Sequence, residues 1–189
     1  MQAQRLPAAR GVLWLSDGFV LYRRNPPLLT MLTLGFLMIV AAFGVIQPVG
    51  QFLLPLVLPA LTALVANGCR ALDRADTGPL VLPRGTLTFG LVEHRALLLR
   101  LGFLHLVGML LVLGIDLALE QSAGATLSFD LSGDAQQLAH LLRLMTLAAP
   151  LLLAFWFAPL LSAWEGVSAA KSLFFSLAHL ANDVVELIP

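Results

Sequence analysis

His105 is the side chain whose type and position could most directly do chemistry. It lies near the middle of an apolar stretch, residues 96–119, and an ionisable group at such a depth in a membrane span marks a functional site by default. A neutral imidazole there could ligate a haem or a chlorophyll-type pigment. A bis-histidine haem would need a second intramembrane histidine, but His94, His140 and His179 fall outside the apolar stretches. We therefore expect His105 to hydrogen-bond a neighbouring helix, with cofactor ligation as the weaker alternative.

Three charged residues at the ends of apolar stretches are the second candidate for chemistry. Asp116 and Glu120 stand at the end of one stretch, and Arg143 stands at the start of the next. Two carboxylates and a guanidinium could relay protons or ions. Their place at the ends of spans favours a solvated or ion-paired rim instead, in which Arg143 is a candidate partner for the acidic residues.

No other constellation in the sequence indicates catalysis. There is no glycine-rich phosphate loop and no cluster of metal ligands, and Ser162 and Ser168 have no histidine or carboxylate at a spacing that would activate a nucleophile. The single Cys69 excludes an intrachain disulfide. The sequence therefore predicts no catalytic residue, no metal site and no resident cofactor, and a protein that is not an enzyme.

The composition indicates that the solvent of this chain is lipid. Of 189 residues, 59% are hydrophobic and 12% are charged, whereas a soluble domain has about 25% charged residues. Eleven basic residues balance eleven acidic ones, so no net field attracts nucleic acid. The expected partners are membrane lipids and other integral membrane subunits, not nucleic acid.

Long stretches that are almost free of charge predict four transmembrane helices. A helix needs roughly 20 apolar residues to cross a bilayer. We place the spans at about residues 28–46, 52–67, 96–119 and 144–164. The second span contains Pro55 and Pro59, which bend a helix. The two prolines could mark a gating or binding site, but the lack of an adjacent charged or amide cluster favours a kinked packing helix.

Two further helices are predicted on either side of the spans. Residues 11–24 are typical of a helix lying in the membrane interface, and residues 168–188 show the apolar spacing of an amphipathic helix. A loop near residues 68–95 is expected to lead into a helix that starts near Thr86. The fold class is therefore an all-α polytopic bundle, with residues 1–189 forming a single membrane domain.

Basic residues are distributed unevenly between the two sides of the predicted membrane. Arg23, Arg24, Arg70 and Arg74 fall on one side as topology anchors, whereas residues 120–140 contain no lysine or arginine. The positive-inside rule places the arginine side in the cytoplasm. We therefore expect a multi-pass protein of the bacterial inner membrane with both termini cytoplasmic.

Large aromatic side chains mark the expected contact surfaces. Trp and Tyr concentrate where a membrane meets water, and aromatic anchors also dominate contacts between subunits. On these grounds Trp14, Phe19, Trp156 and Trp164 are predicted to contact lipid headgroups or a partner.

Two segments resemble a family of uncharacterised integral inner-membrane proteins of proteobacteria. They are residues 14–26, WLSDGFVLYRRNP, and residues 155–176, which contain FWFAP followed by WEGVSAAKSLFFS. Members of that family usually continue into two more spans after this point. Here the arginine-rich lead into a fifth span is replaced by NDVVE, and the printed sequence ends at Pro189. The resemblance implies either a shortened member or part of a longer chain, and it carries over no catalytic residue.

These observations favour a non-catalytic accessory, scaffold or assembly subunit that packs laterally against a larger inner-membrane complex. The loops are too small for an enzyme domain, and the spans carry small residues and aromatics suited to lateral contact. The resemblance implies a respiratory or photosynthetic complex as a host. The alternative is a small transporter or channel component, which predicts a polar cavity near Pro55, Pro59, His105 and Pro150.

Overall fold

The computed structural model describes residues 10–46, 48–74, 85–123 and 133–185. Within these ranges the chain forms α-helices and no β-strand. The helices are α1 (Arg10–Arg24), α2 (Pro26–Val45), α3 (Val49–Arg74), α4 (Arg95–Ala123), α5 (Gly133–Glu165) and α6 (Ala169–Val185). Four of them, α2 to α5, are long and apolar enough to cross a membrane. The predicted all-α bundle with four candidate spans, one helix before them and one after, is confirmed.

The start of α2 follows directly from its sequence. The side chain of Asn25 accepts a hydrogen bond from the Leu28 backbone N–H at 3.1 Å, which satisfies one of the free donors at the helix start. Pro26 and Pro27 occupy the first turn, where a missing N–H costs nothing. The chain can therefore leave α1 and enter the first span within a single residue.

Helices α3 and α5 extend furthest beyond the predicted spans. The predicted second span stops at Asn67, but α3 continues to Arg74. The predicted fourth span starts at Leu144, but α5 already begins at Gly133. Both predicted boundaries lie where apolar character is lost, but a helix continues through polar residues wherever its backbone hydrogen bonds can form. The predicted last helix begins at Ala169 and is followed to Val185, and its expected end at residue 188 lies outside the described residues.

The prediction of a helix starting near Thr86 is wrong, because residues 85–94 form consecutive turns and α4 begins at Arg95. Gly85 and Gly90 have φ angles of 88° and 71°, which a right-handed helix cannot accommodate. A Cβ at position 90 would also overlap the backbone of Ala163 in α5. Glycine therefore lets this 85–94 turn segment lie directly against α5.

The spans pack in chain order, with α2 on α3, α3 on α4 and α4 on α5. Two small clusters of buried residues lie in the bundle. One joins α3, α4 and α5 through Ala63, Leu98 and Ala163, and the other joins α4, α5 and α6 through Leu101, Ala158 and Ala169. At Gly102, a Cβ would come within 2.5 Å of the Leu56 carbonyl oxygen. The backbones of α3 and α4 are therefore in close contact, as small residues allow between membrane helices.

Helix α6 runs back along α5 and is attached to it by serine hydroxyls. The Ser162 hydroxyl donates to Ser172 at 3.1 Å. One turn further along α6, Ser176 Oγ accepts from the Phe157 N–H at 3.2 Å and donates to the Leu153 carbonyl at 3.0 Å. The hydroxyl thus bridges a carbonyl and an N–H of α5 that lie one helical turn apart, and it fixes α6 against α5 at this level.

Candidate functional site

One end of the bundle gathers the arginines that were predicted as topology anchors. The antiparallel order of the spans brings together the end of α1, the end of α3 and the start of α4. Arg24 donates from Nη1 to the Leu72 carbonyl at 3.2 Å, which joins α1 to α3. Arg23 near the end of α1, and Arg70 and Arg74 near the end of α3, lie at the same end of the bundle. We call it the arginine-bearing end. That this end faces the cytoplasm stays a prediction.

Asn67 is the centre of a polar cluster at this end and is only 1% exposed. Its Nδ2 donates to the Leu87 and Phe89 carbonyl oxygens, each at 2.9 Å. Its Oδ1 accepts from the indole Nε1 of Trp164 at 2.8 Å. A primary amide has two N–H donors and one carbonyl acceptor group, so every group of this side chain is used. Asn67 therefore connects α3, the 85–94 turn segment and the end of α5.

Arg70 lies one turn after Asn67 and is held between two aromatic rings. Its guanidinium carbon is 5.0 Å from the ring centroid of Phe89 and 4.8 Å from that of Trp164, within the distance at which a cation is attracted to a ring face. Its Nη1 is buried and has no hydrogen-bond partner in the part of the chain that the structure describes. The rings fix the position of the charge without satisfying all of its N–H groups.

Arg70 also lines an open groove of about 820 Å³. The groove runs along α3 between α2 and α5, with Phe36, Val65 and Leu160 among its apolar walls. Its charged lining comes from the last turns of α3, namely Arg70, Asp73 and Arg74. The site is thus amphipathic: one end is charged and the remainder is apolar.

The aromatic residues predicted to contact lipid or a partner differ in their surroundings. Phe19 and Trp156 are exposed on the surface of the bundle. Trp164 is only partly exposed, and its indole N–H is bonded to Asn67 inside the chain; its contact with lipid or a partner stays a prediction. The side chain of Trp14 lies outside the described structure.

Sequence reasoning missed Asn67 and Phe89 altogether. The available signal was an amide placed one turn before an arginine, at the end of an apolar helix that was predicted to stop there. In lipid, a buried amide must find partners, so Asn67 could have been singled out as a residue that must bond to another element. Which element it would bond to could not be read from the sequence.

A second charged cluster lies at the opposite end of the bundle, where α4 and α5 meet. Arg143 Nε is 2.5 Å from Asp116 Oδ1, and its Nη2 is 3.6 Å from Glu120 Oε1. His140 Nδ1 is 3.0 Å from Arg143 Nη2 and 3.8 Å from Asp116 Oδ2. The predicted pairing of Arg143 with both acidic residues is confirmed. Because Asp116 is only 2% exposed, this pairing neutralises a buried carboxylate.

His105 is 6% exposed and packs between helices α4 and α5. Its ring is stacked on Phe155, with the centroids 4.4 Å apart and the planes at 22°. Stacking, rather than the expected hydrogen bond, is the contact of this imidazole in the described residues. In the same ranges no group of three or more histidine, cysteine or acidic side chains is placed to hold a metal ion. The absence of a cofactor stays a prediction.

The chain is similar to a probable inner membrane protein of Burkholderia thailandensis. The two are 29% identical over an alignment of 189 residues, which covers 94% of this chain and 69% of the relative. No family model matches the chain, and no solved structure matches it. The similarity and the four candidate spans together support an inner membrane protein. This agrees with the proteobacterial membrane proteins that the sequence motifs resemble.

Proposed function

We propose that the protein is a non-catalytic accessory or scaffold subunit that packs laterally against a larger inner-membrane complex. The observation that carries this proposal is the exposure of Trp156 within a membrane-spanning helix. In the proposed orientation the arginine-bearing end and both termini lie on the cytoplasmic side. The resemblance to proteobacterial proteins suggests a respiratory or photosynthetic complex as the host.

Trp156 is 64% exposed on α5. Nine positions separate it from Glu165 at the end of the helix, which corresponds to about 14 Å along the helix axis. If Glu165 lies at the interface, the indole lies near the middle of a hydrocarbon core about 30 Å thick. In the described ranges its N–H has no acceptor. A buried N–H without an acceptor is costly in an apolar medium, and a neighbouring subunit is the natural source of an acceptor at that depth.

Further exposed aromatic residues lie on α5 and α6 at the level of Trp156. Phe157 on α5 and Phe174 and Phe175 on α6 are exposed, and Ser176 brings this part of α6 against residues 153–157 of α5. We call these four aromatic residues the α5–α6 aromatic surface. Aromatic side chains are enriched at the centres of protein–protein contacts, so this surface is the proposed contact with the host complex.

The transporter alternative requires a polar cavity near the prolines of α3. Pro55 and Pro59 are fully buried, and the Leu56 backbone between them lies against Gly102 of α4. Nearby, His105 is stacked on a phenylalanine. Close packing at this level supports a structural role for the prolines and favours the subunit proposal over transport.

The proposal is tested by extracting the full-length protein from native membranes with an amphipathic copolymer and identifying what co-purifies by mass spectrometry. We expect a large membrane complex in a fixed ratio to this chain. Trp156→Ala should reduce that ratio severalfold, and Trp156→Phe, which keeps an aromatic ring but has no N–H, should reduce it less. Met31→Ala on α2 is the matched control, because Met31 is also highly exposed, at 74%, and lies away from the aromatic surface.

Recovery of the protein alone, at the same yield for Trp156→Ala and for the unchanged chain, would contradict the proposal. Substrate-dependent flux in liposomes that contain only the purified protein would establish the transporter alternative. A visible absorption spectrum of the pure protein that disappears in His105→Phe would establish that a pigment is bound. It would refute the proposal that the protein is a non-catalytic subunit with no cofactor.

A further inference from the structure

The groove at the arginine-bearing end has the dimensions of a site for one lipid chain. Its lining on α3 runs from Thr62 to Arg74, and these twelve steps along the helix span about 18 Å. Half of a hydrocarbon core about 30 Å thick is about 15 Å. The groove therefore extends over the depth of one leaflet, and its charged end coincides with the end of the span.

The charges of the groove favour an anion at that end. Arg70 and Arg74 contribute two positive charges against the single carboxylate of Asp73, so the lining keeps a net positive charge. Arg70 lines the groove and is clamped between Phe89 and Trp164. A guanidinium that is fixed in place at the edge of a groove is well prepared to receive a phosphate oxygen.

The apolar part of the groove distinguishes a lipid from a free anion. Phe36 of α2, Val65 of α3 and Leu160 of α5 contribute walls from three different spans. A small anion such as phosphate would leave these walls uncovered, whereas an acyl chain would cover them. Basic pockets between membrane helices on the cytoplasmic side are a known setting for anionic lipid headgroups.

We infer that this groove is a binding site for one anionic phospholipid, with the phosphate held at Arg70 and Arg74 and an acyl chain lying along α3 between α2 and α5. The site is independent of the α5–α6 aromatic surface. A lipid bound there would fill the space between α2 and the rest of the bundle. Helix α2 is the most apolar of the four candidate spans, and none of its residues is buried.

The test is native mass spectrometry of the full chain, released from nanodiscs that contain phosphatidylglycerol and phosphatidylcholine in equal amounts. The unchanged protein should retain phosphatidylglycerol in preference to phosphatidylcholine. Arg74→Gln should lower that preference about fivefold, the effect expected for one basic residue near the membrane surface. Asp73→Asn removes the opposing carboxylate and should raise the preference. A change of opposite sign at two neighbouring residues is not expected from general destabilisation.

Arg23→Gln is the matched control, because Arg23 is exposed at the same end of the bundle and does not line the groove. It should leave the lipid preference unchanged. Ala66→Phe should fill the groove and reduce retention of both lipids while the helical content is preserved. Arg70→Gln should also lower the preference, but Arg74→Gln is the decisive variant because the loss of Arg70 also removes the contacts with both rings.

Three results would overturn the inference. Equal loss of preference in Arg23→Gln and Arg74→Gln would show that only the general surface charge matters. Displacement of the bound lipid by millimolar inorganic phosphate would show that the site recognises the anion without the acyl chain. The absence of a lipid preference in the unchanged protein would also overturn the inference. Crosslinks from a cysteine at position 66 to the 75–84 segment or to a second subunit would then identify a protein as the occupant of the groove.

Discussion

Replacing Asn67 with alanine is expected to destabilise the bundle more than any other single polar substitution at the arginine-bearing end. The change removes two hydrogen bonds to the 85–94 turn segment and one from Trp164. A buried hydrogen bond contributes about 1 kcal/mol net in soluble proteins, and about 0.6 kcal/mol on average between membrane helices. Three such bonds therefore predict a loss of about 2 to 3 kcal/mol in the free energy of unfolding.

The measurement is equilibrium unfolding in mixed micelles with increasing amounts of sodium dodecyl sulfate, followed by circular dichroism. Thr62→Ala on the same helix is the matched control. Among the described residues, the Thr62 hydroxyl bonds only to the Leu58 carbonyl of its own helix, at 2.9 Å. Its removal should therefore change the free energy of unfolding by about 0.5 kcal/mol or less.

A double-mutant cycle with Trp164→Phe isolates one of the three bonds. Phenylalanine keeps a ring beside Arg70 and removes the indole N–H that Asn67 accepts. The two substitutions should be less than additive by about 0.6 to 1 kcal/mol. A cost below about 0.5 kcal/mol for Asn67→Ala, or full additivity in the cycle, would refute the argument that this amide joins three elements of the bundle.

Two further predictions concern the opposite end and the turn segment. Arg143→Gln should destabilise the protein, because it leaves the carboxylate of Asp116 buried and unpaired, and Arg143→Gln combined with Asp116→Asn should recover most of that loss in the same unfolding assay. Gly90→Ala should cost about 2 kcal/mol or more through overlap with α5 and a positive φ, whereas Gly35→Ala, at a helical position with open space around it, should be neutral or stabilising by about 0.5 kcal/mol.

The parts of the fold that were predicted correctly depend on neighbours in the sequence. The predicted first span starts at about residue 28, within two residues of the start of α2 at Pro26. Asn25 and two prolines determine this start, and capping is local. The pairing of Arg143 with Asp116 could be expected because consecutive spans are antiparallel, which brings the end of one next to the start of the next. Both inferences need only the order of the helices and the chemistry of residues at their ends.

The polar cluster could not be predicted, because its partners are remote in sequence. Leu87, Phe89 and Trp164 are 20, 22 and 97 positions from Asn67. The turns of residues 85–94 likewise depend on a close approach of Gly90 to α5, which no local pattern encodes. Trp156 is exposed on the lateral surface and Trp164 is only partly exposed, because of the orientation of each span about its own axis. Hydrophobic spacing does not determine that orientation.

The most direct test of this account is the membrane topology of α4, which starts directly after the 85–94 turn segment at the arginine-bearing end and carries Asp116 and Glu120 towards its other end. In a Cys69→Ala background, a single cysteine is placed either at the exposed Glu93 or at the exposed Gln121 and treated with a membrane-impermeant maleimide. The account predicts that the cysteine at position 121 is labelled in intact spheroplasts and the cysteine at position 93 only after the membrane is opened. Labelling of both positions in intact spheroplasts, or of neither, would contradict it.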